Sequence, residues 1–174
     1  MIQTDSLTLS FAGRTLFENV NIKFTPGNSY GLIGANGAGK STFLKCLSGE
    51  QESSGGGVSI PKGLRLSILR QNHFEYNEVK VIDTVIQGHN RLWKVMQEKD
   101  AIYAKPDFND DDGMKAAELE SEFADMNGWE AEAMAGQLLA NLGISTAQHE
   151  LLVQDLEDSE KVRVLLAQAL FGDP

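Results

Sequence analysis

Cysteine is nearly missing from this chain. Cys46 stands alone, so no internal disulfide can form and the sequence suits a reducing compartment. Proline occurs only four times, and no apolar run approaches the roughly eighteen residues that a membrane-spanning helix needs. The start, Met1-Ile2-Gln3-Thr4-Asp5, lacks a basic segment and an apolar stretch, so no signal peptide is expected. Positive charge is scarce. Fifteen Lys and Arg face 25 Asp and Glu, leaving a net charge of −10, and the acids crowd between Tyr103 and Glu132. Gripping phosphate backbones through the bulk surface needs clustered cations, so general nucleic-acid binding is excluded. His73, His89 and His149 are too scattered for a metal centre. Asp110-Asp111-Asp112 lacks the remaining spacing of a calcium loop. What the chain does have is apolar material, 41% of its 174 residues, enough for one domain with a real core and a small appendage.

Glycine is placed with purpose. Gly34-Ala35-Asn36-Gly37-Ala38-Gly39-Lys40-Ser41-Thr42 fits G-x-x-x-x-G-K-[ST], the phosphate-binding loop. Tyr30-Gly31-Leu32-Ile33 before it reads as a buried parallel strand, and Ser41 to Leu47 after it as a short helix ended by Gly49. Glycines let the backbone curl so that several N–H groups converge at a helix N-terminus, which makes an anion site. Lys40 would reach the terminal phosphates of a nucleotide and the Ser41 hydroxyl would ligate Mg²⁺. Gly34, Asn36, Gly37, Ala38, Gly39, Lys40, Ser41 and Thr42 therefore form the candidate phosphate seat.

Ahead of this loop the pattern is antiparallel β. Leu7, Leu9 and Phe11 alternate with polar residues, Ala12-Gly13-Arg14 turns the chain, and Thr15 to Phe17 answers. Val20, Ile22 and Phe24 alternate again up to Pro26-Gly27. Beyond the loop helix, Val58 to Ile60 and Leu64 to Leu69 read as short strands. From Val79 the spacing turns helical. One short helix stops near Gly88, and another carries Leu92, Val95, Met96, Lys99, Ile102 and Tyr103 up to Pro106. Asp107 to Gly113 reads as an acidic turn, with a return helix from Met114 interrupted at Gly128. Together these make a helical hairpin, which either packs as an ordinary subdomain or projects into solvent. Glu130 to Leu142 is a further helix. Glu160 to Phe171 is the last, with Asp158 or Ser159 as its N-cap. Trp93 and Trp129 read as helix-packing residues.

The phosphate loop, the segment Leu69-Arg70-Gln71-Asn72-His73-Phe74, the acidic hairpin and the run EKVRVLLAQALF from Glu160 to Phe171 together resemble the first nucleotide-binding domain of ABC-F proteins. These are translation-linked ABC-type ATPases without a membrane part. The resemblance implies an α/β P-loop fold of the ABC ATPase type, with an antiparallel β subdomain and an inserted helical hairpin. It divides the chain into an ATP-binding core (1–88), a helical subdomain with the arm (89–143) and a signature segment with its helix (144–174). It implies ATP and Mg²⁺ as cofactors, with Phe11 stacking on adenine and Gln71 sensing Mg²⁺ and the γ-phosphate. It also implies a cytoplasmic protein, and an arm that leans on ribosomal RNA or protein near the exit tRNA site. The acidity of the arm favours a protein contact.

Two departures from the family's pattern stand out. Leu156-Glu157-Asp158-Ser159-Glu160 occupies the place of Leu-Ser-Gly-Gly-Gln/Glu, so two carboxylates sit where a γ-phosphate would be gripped. Like charges within about 4 Å cost several kcal/mol at an effective dielectric near 20, so this segment is expected to be a weak grip. The chain also ends before the family's apolar Asp-Glu strand and switch His. It therefore reads as truncated ahead of the Walker B strand, separated from its C-terminal half and second nucleotide-binding domain, and unable to hydrolyse ATP by itself. Its sheet would keep an open edge that invites association with another copy. Two readings compete with this one: the ATP-binding subunit of a membrane transporter, and an interaction module carrying a relic loop.

Overall fold

A computed structural model describes residues 1–69 and 74–174, which fall into two units, Met1–Leu66 and Ser67–Pro174. The alternating N-terminal run is β1 (Ile2–Phe11), and the first unit is assembled on it. Ala12 and Gly13 both take positive φ, 47° and 82°, the twist that a tight hairpin requires. β2 (Arg14–Val20) then returns antiparallel, with Leu9 opposite Phe17 and Phe11 opposite Arg14. β3 (Lys23–Phe24) pairs with the start of β1 and β4 (Gly55–Ser59) with its middle, all antiparallel. α1 (Lys40–Ser48) lays Phe43 and Cys46 against Leu7 and Leu9, and the Phe17 and Phe43 rings meet edge to face at 5.6 Å. Burial pushes the Cys46 thiol pKa up, which suits a small core filler rather than a nucleophile.

Two expected strands do not form. Tyr30–Ile33 and Leu64–Leu69 carry no ladder among the described residues, and Ile33 is 95% exposed instead of buried. A strand exists only through a neighbour that takes its N–H and C=O groups, and apolar composition cannot supply one. Tyr30 is held another way. Its hydroxyl accepts from the Thr25 N–H at 2.9 Å, and its ring meets Phe24 edge-on. The hydrogen bonds with Thr25 hold its phenol pKa below the usual value.

The second unit is helical. α2 (Val81–Ile86), α3 (Asn90–Tyr103), α4 (Asp110–Asp125), α5 (Ala131–Asn141) and α6 (Asp158–Leu170) surround a core built on Val81, Val85, Leu92, Val95, Leu139 and Val164. The three-to-four residue spacing places these side chains on the inner faces of their helices. α3 and α4 run antiparallel, as the ion pairs between them and across the turn that joins them show. Arg91 meets Glu122, Lys99 meets Glu120 at 2.8 Å, and Lys105 meets Asp112 at 2.5 Å. The return helix starts earlier than its apolar residues suggested. Asp110, Asp111 and Asp112 belong to its first turn rather than to a loop, because Asn109 and Asp112 close a capping box across the helix start. Trp129 meets Phe123 edge-on at 5.0 Å, and the Lys99 ammonium lies 3.8 Å from the Phe123 ring centre.

These pairs predict an acid response. Lys105 holds Asp112, Lys99 holds Glu120 and Arg91 holds Glu122 below the usual carboxylate values of 3.8 for Asp and 4.5 for Glu. A carboxylate with a depressed folded-state pKa adds stability above its unfolded value and loses it as pH falls through the folded one. Helicity followed by circular dichroism should therefore decline below the ordinary carboxylate range. Glu120→Gln should lower stability at neutral pH and flatten that decline. An unchanged acid profile would contradict the assignment.

Candidate nucleotide site

The glycine loop bridges the unpaired Tyr30–Ile33 stretch and α1. Gly37 has φ 80° and Gly39 φ 90°, values in which side chains are strained, so the loop depends on glycine at both places. Gly39 also lies in contact with β2. An added Cβ would lie 3.6 Å from Leu16 Cβ and from the Phe17 ring. Sequence reasoning missed these two backing residues, because only the folded hairpin brings them to the helix start. Ala38 N–H closes a turn on the Ala35 carbonyl at 3.2 Å. Gly34 to Ala38 are exposed, as is Ser41, while Lys40 and Thr42 are half-buried.

The start of α1 is bare. Gly39 is its N-cap, contributes no side-chain hydrogen bond, and no acid occupies the first turn. The leading amides of a helix have no intrahelical acceptor, and the helix dipole adds positive potential there. An anion is the natural occupant. The Lys40 ammonium donates to the Gly34 and Ala35 carbonyls at 2.7 and 2.8 Å. An ammonium carries three donors, so one remains for a ligand. These features fit a nucleotide's phosphates, and the exposed Ser41 hydroxyl is a suitable oxygen for a Mg²⁺ that neutralises them.

An apolar groove of about 170 Å³ runs beside the loop, lined by Phe17, Val20, Ile22, Leu32, Ile33 and Phe43 among others. Ala38, Gly39 and Lys40 of the loop complete its lining, and it is smaller than the roughly 300 Å³ at which ligand pockets begin. Phe11 lies at the hairpin end of β1, 46% exposed, rather than in the core with Leu7 and Leu9. An exposed ring has a free face to offer. Gln71 lies outside the described residues, as do Arg70, Asn72 and His73.

The start of α6 is the opposite of the start of α1. Its N-cap is Glu157, one residue ahead of Asp158 and two ahead of Ser159, the expected caps. The Glu157 N–H donates to the Glu160 carboxylate at 3.0 Å, and Gln148 Nε2 donates to the same carboxylate at 2.8 Å. The Gln148 hydrogen bond, followed by the Glu157 amide, holds the Glu160 pKa below the usual value. Lys161 reaches Asp158 at 3.3 Å. Glu157, Asp158 and Glu160 thus surround this helix start with carboxylates.

The ABC transporter family model matches residues 17–174. The chain belongs to the ABC transporter family. An uncharacterized ABC transporter ATP-binding protein of Bacillus subtilis, YkpA, is 65% identical across the whole chain, which spans 32% of YkpA. ABC transporter F family member 4 of Arabidopsis thaliana is 29% identical over 99% of the chain and 24% of its own length. The solved structure of an ATP-binding cassette of an ABC transporter superposes on the entire chain and 66% of its own, with a TM-score of 0.64 at 17% identity. The α/β ABC ATPase fold that the family resemblance implied is therefore the fold of this chain. The ABC transporter chain spans about a third of the YkpA relative. Among the described residues no helix is long and apolar enough to cross a membrane, and no cluster of His, Cys, Asp and Glu could hold a metal.

Proposed function

We propose that this ABC transporter family chain is the first ATP-binding part of an ABC-F type ATPase that acts on translation at the ribosome, in the cytoplasm. The bare N-terminus of α1 beside Lys40 carries the nucleotide reading. The Gly34 to Thr42 backbone and Lys40 hold the phosphates of ATP, Ser41 and Gln71 attend its Mg²⁺, and Phe11 lies against adenine. The likeness to ABC transporter F family member 4 supports the ABC-F assignment, as does the ion-paired α3–α4 hairpin, read as an arm. Two experiments test the reading. Calorimetric titration should detect Mg-ATP binding to the chain. In cell extracts the native protein should pellet with ribosomes and not with membranes; recovery with membranes would favour a transporter subunit.

The carboxylates at the start of α6 make that segment a weak phosphate grip. Glu157→Ser with Asp158→Gly removes two negative charges there, at a cost of about 0.3–1 kcal/mol each in helix stabilisation. In the doubly substituted chain, the amide NMR signals of residues 158–161 should shift on addition of inorganic phosphate. In the unsubstituted chain they should stay still, and an equal shift there would refute the reading.

A further inference from the structure

Asn36 is followed by Gly37 and Asn127 by Gly128; no other asparagine in the chain precedes a glycine. The two pairs have opposite surroundings. Asn36 and Gly37 are the exposed central residues of the turn that Ala38 N–H closes on the Ala35 carbonyl. Gly37 has φ 80°, and nothing lies within 4 Å of a Cβ added there. Neither the Asn36 side chain nor the peptide joining it to Gly37 has a hydrogen-bond partner among the described residues. That peptide can therefore rotate while the closing bond of the turn persists, as in the change between type I and type II turns. Gly128, by contrast, is buried, and a Cβ there would stand 2.2 Å from the Phe123 ring. The Asn127 carbonyl accepts the Glu130 N–H at 3.0 Å, so turning its peptide breaks a bond in an enclosed place.

We propose that Asn36 is a self-modifying position: with water it converts to aspartate and isoaspartate, and an occupied phosphate seat slows the conversion. The Gly37 nitrogen attacks Cγ, the side-chain carbonyl carbon of Asn36. A bond from that nitrogen to Cγ forms, the bond from Cγ to Nδ2 breaks, and ammonia leaves with the proton of the Gly37 nitrogen. The cyclic imide that remains takes up one water. Opening at Cγ leaves aspartate. Opening at the main-chain carbonyl carbon leaves isoaspartate, whose backbone runs through Cγ. An amide and water thus become a carboxylate and ammonium, with nothing oxidised or reduced. Glycine favours the attack because it has no Cβ to obstruct its nitrogen. Either product puts a new negative charge in the loop that precedes α1, and isoaspartate also lengthens that loop's backbone, so the seat would repel phosphates. Bound phosphates would in turn hold the loop amides and keep the Gly37 nitrogen from attack. The protection and the lost affinity rest on the nucleotide reading; the reaction itself rests only on the turn.

Incubating the full chain in water labelled with heavy oxygen, followed by peptide mass mapping, tests it. Label should enter at Asn36 about tenfold or more faster than at Asn127, which must give up a hydrogen bond to react. Asn36→Gln should nearly abolish labelling at that position, because the longer side chain has to close a larger ring. Saturating Mg-ATP should slow labelling at Asn36 about tenfold or more and leave Asn127 unaltered. Asn36→Asp, which installs one of the products directly, should weaken Mg-ATP binding about tenfold or more in calorimetry. Circular dichroism of each variant establishes that the chain remains folded. Labelling at Asn36 no faster than at Asn127 would overturn the proposal. So would Mg-ATP that binds in calorimetry without slowing the label. Fast labelling at Asn36 in a chain that binds no Mg-ATP would overturn the nucleotide reading, and the protection with it, while upholding the reaction.

Discussion

Mg-ATP should bind the Lys40→Ala chain about ten- to a hundredfold more weakly than the unsubstituted chain. Hydrogen bonds to charged groups contribute roughly 1.5–3 kcal/mol, and each 1.4 kcal/mol is a factor of ten in affinity. In the structure, two donors of this ammonium are spent on the Gly34 and Ala35 carbonyls, which fixes where the third points and holds the loop closed on itself. The substitution therefore removes both a ligand contact and a brace of the seat. Folding should survive, because both bonds are solvent-exposed and the helix cap is Gly39 backbone. Lys40→Arg keeps the charge but replaces a compact ammonium by a planar fork, so it should recover only part of the affinity. Calorimetry on the three proteins measures the series. Equal affinity in all three would remove Lys40 from the site.

Gly88→Ala should destabilise the helical unit by about 2–5 kcal/mol, combining overpacking with the loss of a buried hydrogen bond. Gly88 follows α2 and lies against α6. A Cβ there would stand 2.0 Å from the Gln168 carbonyl oxygen and 2.9 Å from its carbon. Those atoms are backbone, so no rotamer change relieves the collision and the helices must part. Parting stretches the buried bond from Gln168 Nε2 to the Thr84 carbonyl, 2.9 Å, and opens the core between Val85 and Val164. Gly31→Ala is the matching control. Nothing lies within 4 Å of its added Cβ and its φ is ordinary, so the change should stay within about 0.5 kcal/mol. Urea unfolding of both variants decides; similar midpoints would show that α2 and α6 yield more easily than packed backbone should.

The helices were legible because their information is local. Apolar residues at three-to-four spacing marked α3, α5 and α6, and the interruption at Gly128 fell where the Phe123 ring leaves no room for a side chain, 2.2 Å from an added Cβ. The beginning of α4 was harder to read. Its acids look like loop composition until Asn109 and Asp112 are paired across the helix start, a signal that lies in their spacing rather than in their hydropathy. The phosphate loop was legible for the same local reason, since the glycines that permit positive φ at 37 and 39 are also the fixed letters of the motif.

The β elements followed a different rule. Periodicity alone placed β1 and its hairpin, yet it misplaced Tyr30–Ile33 and Leu64–Leu69, whose apolar side chains meet no partner strand among the described residues. It also put Phe11 with Leu7 and Leu9, whereas the end of the hairpin leaves the ring half in solvent. The sequence by itself determined the glycine-loop motif and the helical periodicity, because each is written within a few consecutive residues, and the ABC family through several motifs spread along the chain. Tertiary structure alone decided which apolar stretch becomes a strand, that Leu16 and Phe17 back the loop at Gly39, and that α6 begins among carboxylates. Those outcomes depend on groups far apart in the chain, whose meeting is fixed by pairing and packing rather than by local composition.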